Sequence, residues 1–233
     1  MSPPTGSQRP RGAVFPSLYA ILDADLVGER AVEVADEFAG VGVELMQYRD
    51  KTASARRFFE ICGRLSARLR GRARFIVNDR ADIAALCDAG GVHVGQEDLR
   101  AEDARAICGS GRWVGVSTHN LKQFRAALET SADYIAVGPV FATSTKKNPD
   151  PVVGLEFVAR TRAMTEKPIV AIGGITAENA ESVYRAGADS VAVISDLMAA
   201  GKPAERAAEY LRIAAKVRSA RCRAQITESG IDG

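Results

Sequence analysis

From residue 19 to about residue 219 the chain alternates short apolar runs with amphipathic stretches. The apolar runs are YAILD at 19–23, VELMQYR at 43–49, RFIVND at 74–79 and GVHVG at 91–95. RWVGVS at 112–117, YIAVGP at 134–139, PIVAIGG at 168–174 and SVAVIS at 190–195 continue the series. Most are continuously apolar rather than alternating, which is how strands read when both faces are covered. Helical spacing follows them at 29–41, 55–70, 81–90, 101–108, 121–131, 155–164, 177–187 and 203–219. DAGGVHV and GADSVAV repeat one theme, a glycine that ends a helix just before a buried strand.

Eight βα units predict an α/β fold, a closed (β/α)8 TIM barrel. A doubly wound open sheet shares the alternation but usually has five or six strands. The barrel is predicted as one domain over 19–221. Residues 1–18 hold four prolines and no signal-peptide apolar stretch, so they read as a flexible arm. Residues 222–233 lack periodicity and read as a disordered tail.

Composition narrows the classes. Hydrophobic residues make up 46% and charged residues 26%, which excludes wholesale disorder. Lysine plus arginine is 31 against 29 acidic residues, a net charge of +2. That balance argues against nucleic acid or a membrane surface as the main partner. No apolar run approaches the roughly 18 residues of a membrane span. Cys62, Cys87, Cys108 and Cys222 form no CxxC and read as buried thiols in a reducing, cytoplasmic compartment. Two histidines exclude a poly-histidine metal site. A homo-oligomer stays open.

Polar residues gather where the strands end, and in a barrel those ends share one mouth. Gln47, Arg49 and Lys51 sit at alternate positions and point one way if their strand continues that far. Two cations and an amide suit a polyanion such as diphosphate; a solvated strand end with Arg49 paired to Asp50 or Asp79 is the competing reading. Asn78 and Asp79 end the third run, and Glu97 and Asp98 follow the fourth. Asp79 and Asp98 read either as helix caps or as two carboxylates for Mg²⁺ with diphosphate completing its shell. After the fifth run, Ser117 can donate to a phosphate or a ring nitrogen. His119 reads as a proton shuttle or a plain helix-start residue, and His93 as a satisfied core group or a group that supports a site residue from behind. The polar loop 138–154 carries Thr143, Ser144, Thr145 and Lys146, which can wrap an anion as a lid or form an ordinary surface loop. Gly173 and Gly174 after the seventh run, with Ile194 and Ser195 after the eighth, occupy the usual barrel phosphate position. Two phosphorylated small molecules meeting across one mouth is the natural reading.

From Tyr19 to Leu211 these segments resemble the thiamine-phosphate synthase family. The resemblance implies a Mg²⁺-dependent barrel transferase that joins a pyrimidine methyl diphosphate to a thiazole ethyl phosphate, releasing diphosphate. The family's Q-x-R-x-K matches Gln47, Arg49 and Lys51, implying diphosphate contacts. N-D-R and G-Q-E-D-L match Asn78–Arg80 and Gly95–Leu99. They imply Asn78 on the pyrimidine and Asp79 and Asp98 on the metal. Ser117 matches a pyrimidine-binding serine. Thr143, Ser144 and Thr145 match thiazole-phosphate contacts, and Lys146 a diphosphate contact. Gly173 or Gly174, Ile194 and Ser195 match the remaining thiazole-phosphate contacts. The resemblance makes Arg49, Lys51, Lys146 and Ser117 the catalytic set. A thiazole tautomerase of the same fold would need no diphosphate site, so the cation and carboxylate set argues against it. A non-catalytic thiazole-phosphate sensor is the other alternative.

Overall fold

The structure, a computed structural model, describes residues 15–143, 150–199 and 201–229, with side chains described as far as Arg223. Eight parallel strands close into a barrel in the order β1 to β8. They are β1 Leu18–Asp23, β2 Leu45–Arg49, β3 Arg74–Asn78, β4 Gly91–Val94, β5 Trp113–Thr118, β6 Tyr134–Val137, β7 Ile169–Ile172 and β8 Ser190–Val193. Pairing of Leu18 with Val191 and of Tyr19 with Ala192 closes the ring. The predicted TIM barrel is therefore the fold, with Tyr19 on the first strand and Val193 on the eighth.

The helices are α1 Ala24–Val27, α2 Ala31–Gly40, α3 Ala55–Leu69, α4 Ala81–Leu86 and α5 Ala101–Cys108, then α6 Leu121–Leu128, α7 Gly154–Arg162, α8 Ala177–Arg185, α9 Ser195–Ala199 and α10 Pro203–Ser229. Their starts follow local chemistry. Ser54 accepts from the Arg57 amide at α3, and Asn120 accepts from the Gln123 amide at α6. Thr176 and Asn179 form a capping box at α8. The helix predicted over 29–41 is α2, preceded by a 3-10 turn at Gly28–Arg30 and by the short α1, which lies before the predicted range. No helix among the described residues is long and apolar enough to cross a membrane.

Two shells of apolar side chains hold the barrel. Outward-facing residues such as Leu22, Tyr48, Val77, Val116 and Val193 pack under the helices. Tyr19, Leu45, Ile76, Tyr134 and Val170 fill the barrel interior. At the amino-terminal end Phe15 stacks on Trp113 with ring centroids 5.3 Å apart, and the Arg74 guanidinium lies over the Trp113 ring, 4.0 Å from its centroid. Asp133 and Asp189 each stand just before a strand and accept from the neighbouring strand's Val114 or Ile169 amide. These bonds satisfy backbone donors that the ladder leaves over.

Two boundaries and the burial of the cysteines differ from the sequence expectation. Phe15, inside the predicted arm, is buried in the barrel floor. Helix α10 runs on to Ser229, beyond residue 221. Among the cysteines, Cys62 and Cys108 are buried, Cys87 is half-buried and Cys222 is exposed, so burial of all four is corrected. Cys222 lies late on α10, beyond Val217, the last buried residue of that helix among those described.

Candidate active site

The strands' carboxyl ends surround a cavity of about 300 Å³. Apolar walls come from Ile21, Ala136, Val170, Ile172, Ala192 and Ile194. Polar groups come from Gln47, Arg49, Asn78, His93, Ser117, His119 and Thr143. Gly173, Gly174 and Ser195 complete the lining on the β7–β8 side.

The β2 side is built from charge. Arg49 ends the strand, and its Nη1 donates to Asp23 Oδ2 at 2.5 Å. Asp23, at the end of β1, is thus the carboxylate partner of Arg49, not Asp50 or Asp79. Asp50 instead folds the chain: its Oδ1 accepts from the Thr52 and Ala53 amides, each at 2.8 Å. This turn places Lys51 outside β2, so the condition for Lys51 to share a strand face with Gln47 and Arg49 is not met. The lysine still returns to the mouth, where its ammonium donates to Asp79.

Asp79 is not a helix cap. Arg80 is the residue that precedes α4, and it makes no side-chain cap bond. Asp79 has left-handed backbone, φ 61°, and its amide donates to the His93 carbonyl at 2.8 Å. Asp98 does not cap α5 either; its carboxylate accepts from the Gly95 amide at 2.8 Å. Burial pushes the Asp79 carboxyl above the ordinary range, Lys51 pulls it down, and the Asp98 carboxyl within hydrogen-bonding reach pushes it up again. Two carboxylates meeting on neighbouring strand ends, at a cost in charge, are a donor set that suits a hard divalent cation. Both lie at the rim outside the cavity lining, and Glu97 is exposed beside them.

The β7–β8 side is built from backbone. Gly173 and Gly174 both have positive φ, 99° and 61°. A Cβ on Gly173 would strike Pro139, and one on Gly174 would strike the Ala142 carbonyl and Phe141. Glycine is required here first for the close approach of the β6 loop, and the open backbone toward an anion comes with it. Tyr210 of α10 braces this side, with its hydroxyl donating to Asp196 Oδ2 at 2.7 Å. Ile194 and Ser195 lead into α9 opposite the glycines.

Gln47 is buried, and its Nε2 donates to the Tyr19 hydroxyl at 2.6 Å. Asn78 is buried at the end of β3 and faces the cavity. Ser117 faces the cavity with His93 Nε2 2.8 Å from its Oγ. His119 holds the Gly138 carbonyl through Nδ1 at 2.7 Å and lies 3.5 Å from Asp150 through Nε2. Thr143 reaches the cavity, whereas Ser144, Thr145 and Lys146 lie outside the described residues. The sequence reading missed Asp23, although it obeys the same strand-end rule as Arg49. It also passed over Tyr19 and Tyr134, which read as ordinary apolar strand residues until barrel closure brought their hydroxyls together.

An eight-stranded parallel barrel whose mouth joins a cation–carboxylate rim to a glycine-lined cleft is the architecture of an enzyme for anionic small molecules. The family model of thiamine monophosphate synthase matches residues 18–197, and the chain belongs to that family. The chain is 48% identical to a thiamine-phosphate synthase of Koribacter versatilis over 87% of its own length and 97% of the relative's. It is 41% identical to one from Myxococcus xanthus over 88% of its length and 93% of the relative's. A solved thiamine phosphate pyrophosphorylase from Pyrococcus furiosus superposes with a TM-score of 0.79 at 36% identity, covering 86% of this chain and 96% of that one.

Proposed function

We propose that this chain condenses an aminopyrimidine methyl diphosphate with a thiazole ethyl phosphate, giving thiamine phosphate and free diphosphate. The observation that carries the reading is one mouth with a charged side and a glycine-lined side, in a barrel of the thiamine monophosphate synthase family. The diphosphate belongs on the β2–β4 side. Arg49 is aligned by Asp23 and presents a fork suited to phosphate oxygens. Lys51 adds a mobile charge, and Lys146 is assigned to the same group from its place in the sequence. The thiazole phosphate belongs to the backbone of Gly173, Gly174, Ile194 and Ser195, with Thr143 at the cavity and Ser144 and Thr145 assigned to the same group from their place in the sequence.

Asp79 and Asp98 would hold Mg²⁺. When bound, the ion supplies positive charge to the diphosphate as its bond to the pyrimidine methylene breaks. Arg49, Lys51 and Lys146 stabilise the same growing charge. Asn78 and Ser117 orient the pyrimidine ring, and the walls of Ile21, Val170, Ile172 and Ala192 keep water from the reacting carbon. The thiazole nitrogen then attacks that carbon, so no protein nucleophile is needed.

The test incubates the protein with both phosphorylated substrates, with and without Mg²⁺, and follows thiamine phosphate and diphosphate by mass. Product that requires both substrates and the metal is expected. Binding of the two substrates without product would defeat the reading, and so would isomerisation of the thiazole alone.

A further inference from the structure

Five polar groups cross the barrel interior in one hydrogen-bonded line. Gln47 Nε2 donates to the Tyr19 hydroxyl at 2.6 Å. The Tyr19 and Tyr134 hydroxyls are 2.9 Å apart. Tyr134 lies 3.1 Å from His93 Nδ1, and His93 Nε2 lies 2.8 Å from Ser117 Oγ. Gln47, Tyr19, His93 and Ser117 line the cavity, whereas Tyr134 is fully buried and does not. Room for its hydroxyl is made by Gly115, where any Cβ would collide with the Tyr134 ring.

Such a line has a direction. The Tyr19 oxygen accepts from Gln47, so its proton goes to the Tyr134 oxygen, the hydroxyl beside it. Tyr134 then donates to His93 Nδ1, because a buried hydroxyl proton needs an acceptor. A neutral imidazole that accepts at Nδ1 carries its proton on Nε2. That proton is donated to Ser117 Oγ, which leaves the serine's own proton for the cavity. Burial holds both tyrosines in the protonated form throughout, since it raises each phenol well above its ordinary pKa.

We propose that Tyr134 is a positioning residue that fixes the His93 tautomer and thereby makes Ser117 a hydrogen-bond donor to a ring nitrogen of the pyrimidine. The proposal rests on the reading of Ser117 as a pyrimidine contact, and its ligand class is a neutral aza-aromatic ring presenting a lone pair. A reversed line, with Gln47 accepting and Ser117 donating to His93, would present only the serine's acceptor to the ring.

The first test needs no substrate and reads the wild-type protein, with one variant for assignment. The chain has two histidines, and ¹⁵N spectra of the full-length protein at neutral pH distinguish their tautomers, with His119→Gln assigning the signals. His93 should carry its proton on Nε2. His119 should carry its own on Nδ1, because the Gly138 carbonyl can only accept. A proton on Nδ1 of His93, or on both nitrogens, overturns the proposal whether or not the protein makes thiamine phosphate.

The second test uses Tyr134→Phe. The KM of the pyrimidine diphosphate should rise about tenfold, the scale of one lost buried hydrogen bond, while that of the thiazole phosphate changes less than twofold. Pyrimidine analogues with each ring nitrogen replaced in turn by CH supply the readout that a packing defect would not move. The wild type should discriminate against one of them, and Tyr134→Phe should lose most of that discrimination. Full discrimination in the variant, or equal weakening toward both substrates, would overturn the proposal.

Discussion

Between β2 and β4 the barrel mouth is lined with ionisable side chains, whereas at β7 and β8 it is lined with main chain. On the first side the side chains of Arg49, Lys51, Asp79 and Asp98 are held by one another and by Asp23. On the second side Gly173 and Gly174 are pressed against the β6 loop by the fold itself. The chemistry of the charged side is therefore separable from stability. On the glycine side the groups that face the cavity are the groups that let the chain pack.

The largest effect should come from Asp79→Asn. It removes one charge from the rim and should lower turnover on the order of a hundredfold, the scale of losing one electrostatic contributor in a preorganised site. Steady-state kinetics should show the thiazole phosphate KM little changed and the Mg²⁺ requirement shifted to higher concentration. Stability should move the other way. Burial disfavours the charged Asp79, so the amide should hold or raise the melting temperature of metal-free protein. The sign in pH follows from the same shift. The folded protein keeps this proton to higher pH than the unfolded chain does, so it binds more protons in that window. The contribution of Asp79 to stability is full below the unfolded value and is lost as pH rises through the folded one. Asp79→Asn should erase that slope in chelator-treated samples. A large drop in melting temperature would end the claim that the charged side is separable.

Lys146→Ala asks which side the β6 loop serves. If its ammonium meets the departing diphosphate, kcat should fall about a hundredfold with pyrimidine-substrate affinity nearly kept. Lys147→Ala should be close to wild type. Equal losses in the two variants would mean that the loop contributes only general positive charge.

Gly174→Ala should couple what Asp79→Asn separates. Left-handed backbone and the collision with Ala142 and Phe141 together should cost about 2 kcal/mol, roughly 5 °C in a chain of this size. The thiazole phosphate KM should rise in step. A stable Gly174→Ala protein with normal thiazole binding would break the comparison from the backbone side. The smallest effect is expected for Lys51→Ala on stability. Its ion pair with Asp79 is half-exposed, and such pairs contribute less than about 1 kcal/mol. Chemical denaturation should barely distinguish this variant from wild type.

Much of this division was legible before the fold was known. Continuous apolar runs separated by amphipathic helices announced the barrel, because burial on both faces leaves no polar alternation in a strand. The strand-end rule then brought Arg49, Asn78, Asp79, Ser117 and Gly173 to one mouth. It could not say how they are held. Asp50 looked like a spare carboxylate beside Arg49, and only the turn it makes shows why Lys51 leaves the strand and meets Asp79. Glycine at 173 and 174 was legible as an opening for an anion, but the Pro139 and Phe141 contacts that demand it come from another strand's loop.

What the sequence by itself determined is whatever depends on near neighbours: the strand and helix periods, the caps at Ser54, Asn120 and Thr176, and the order of polar residues after each strand. What only the tertiary structure decided is every pairing between distant strands. Tyr19 and Tyr134 are 115 residues apart in sequence and 2.9 Å apart at their hydroxyls. Asp23 reaches Arg49 because β1 and β2 pair with those two residues in register. Register is set by closing all eight strands at once, and no local stretch of chain carries that information.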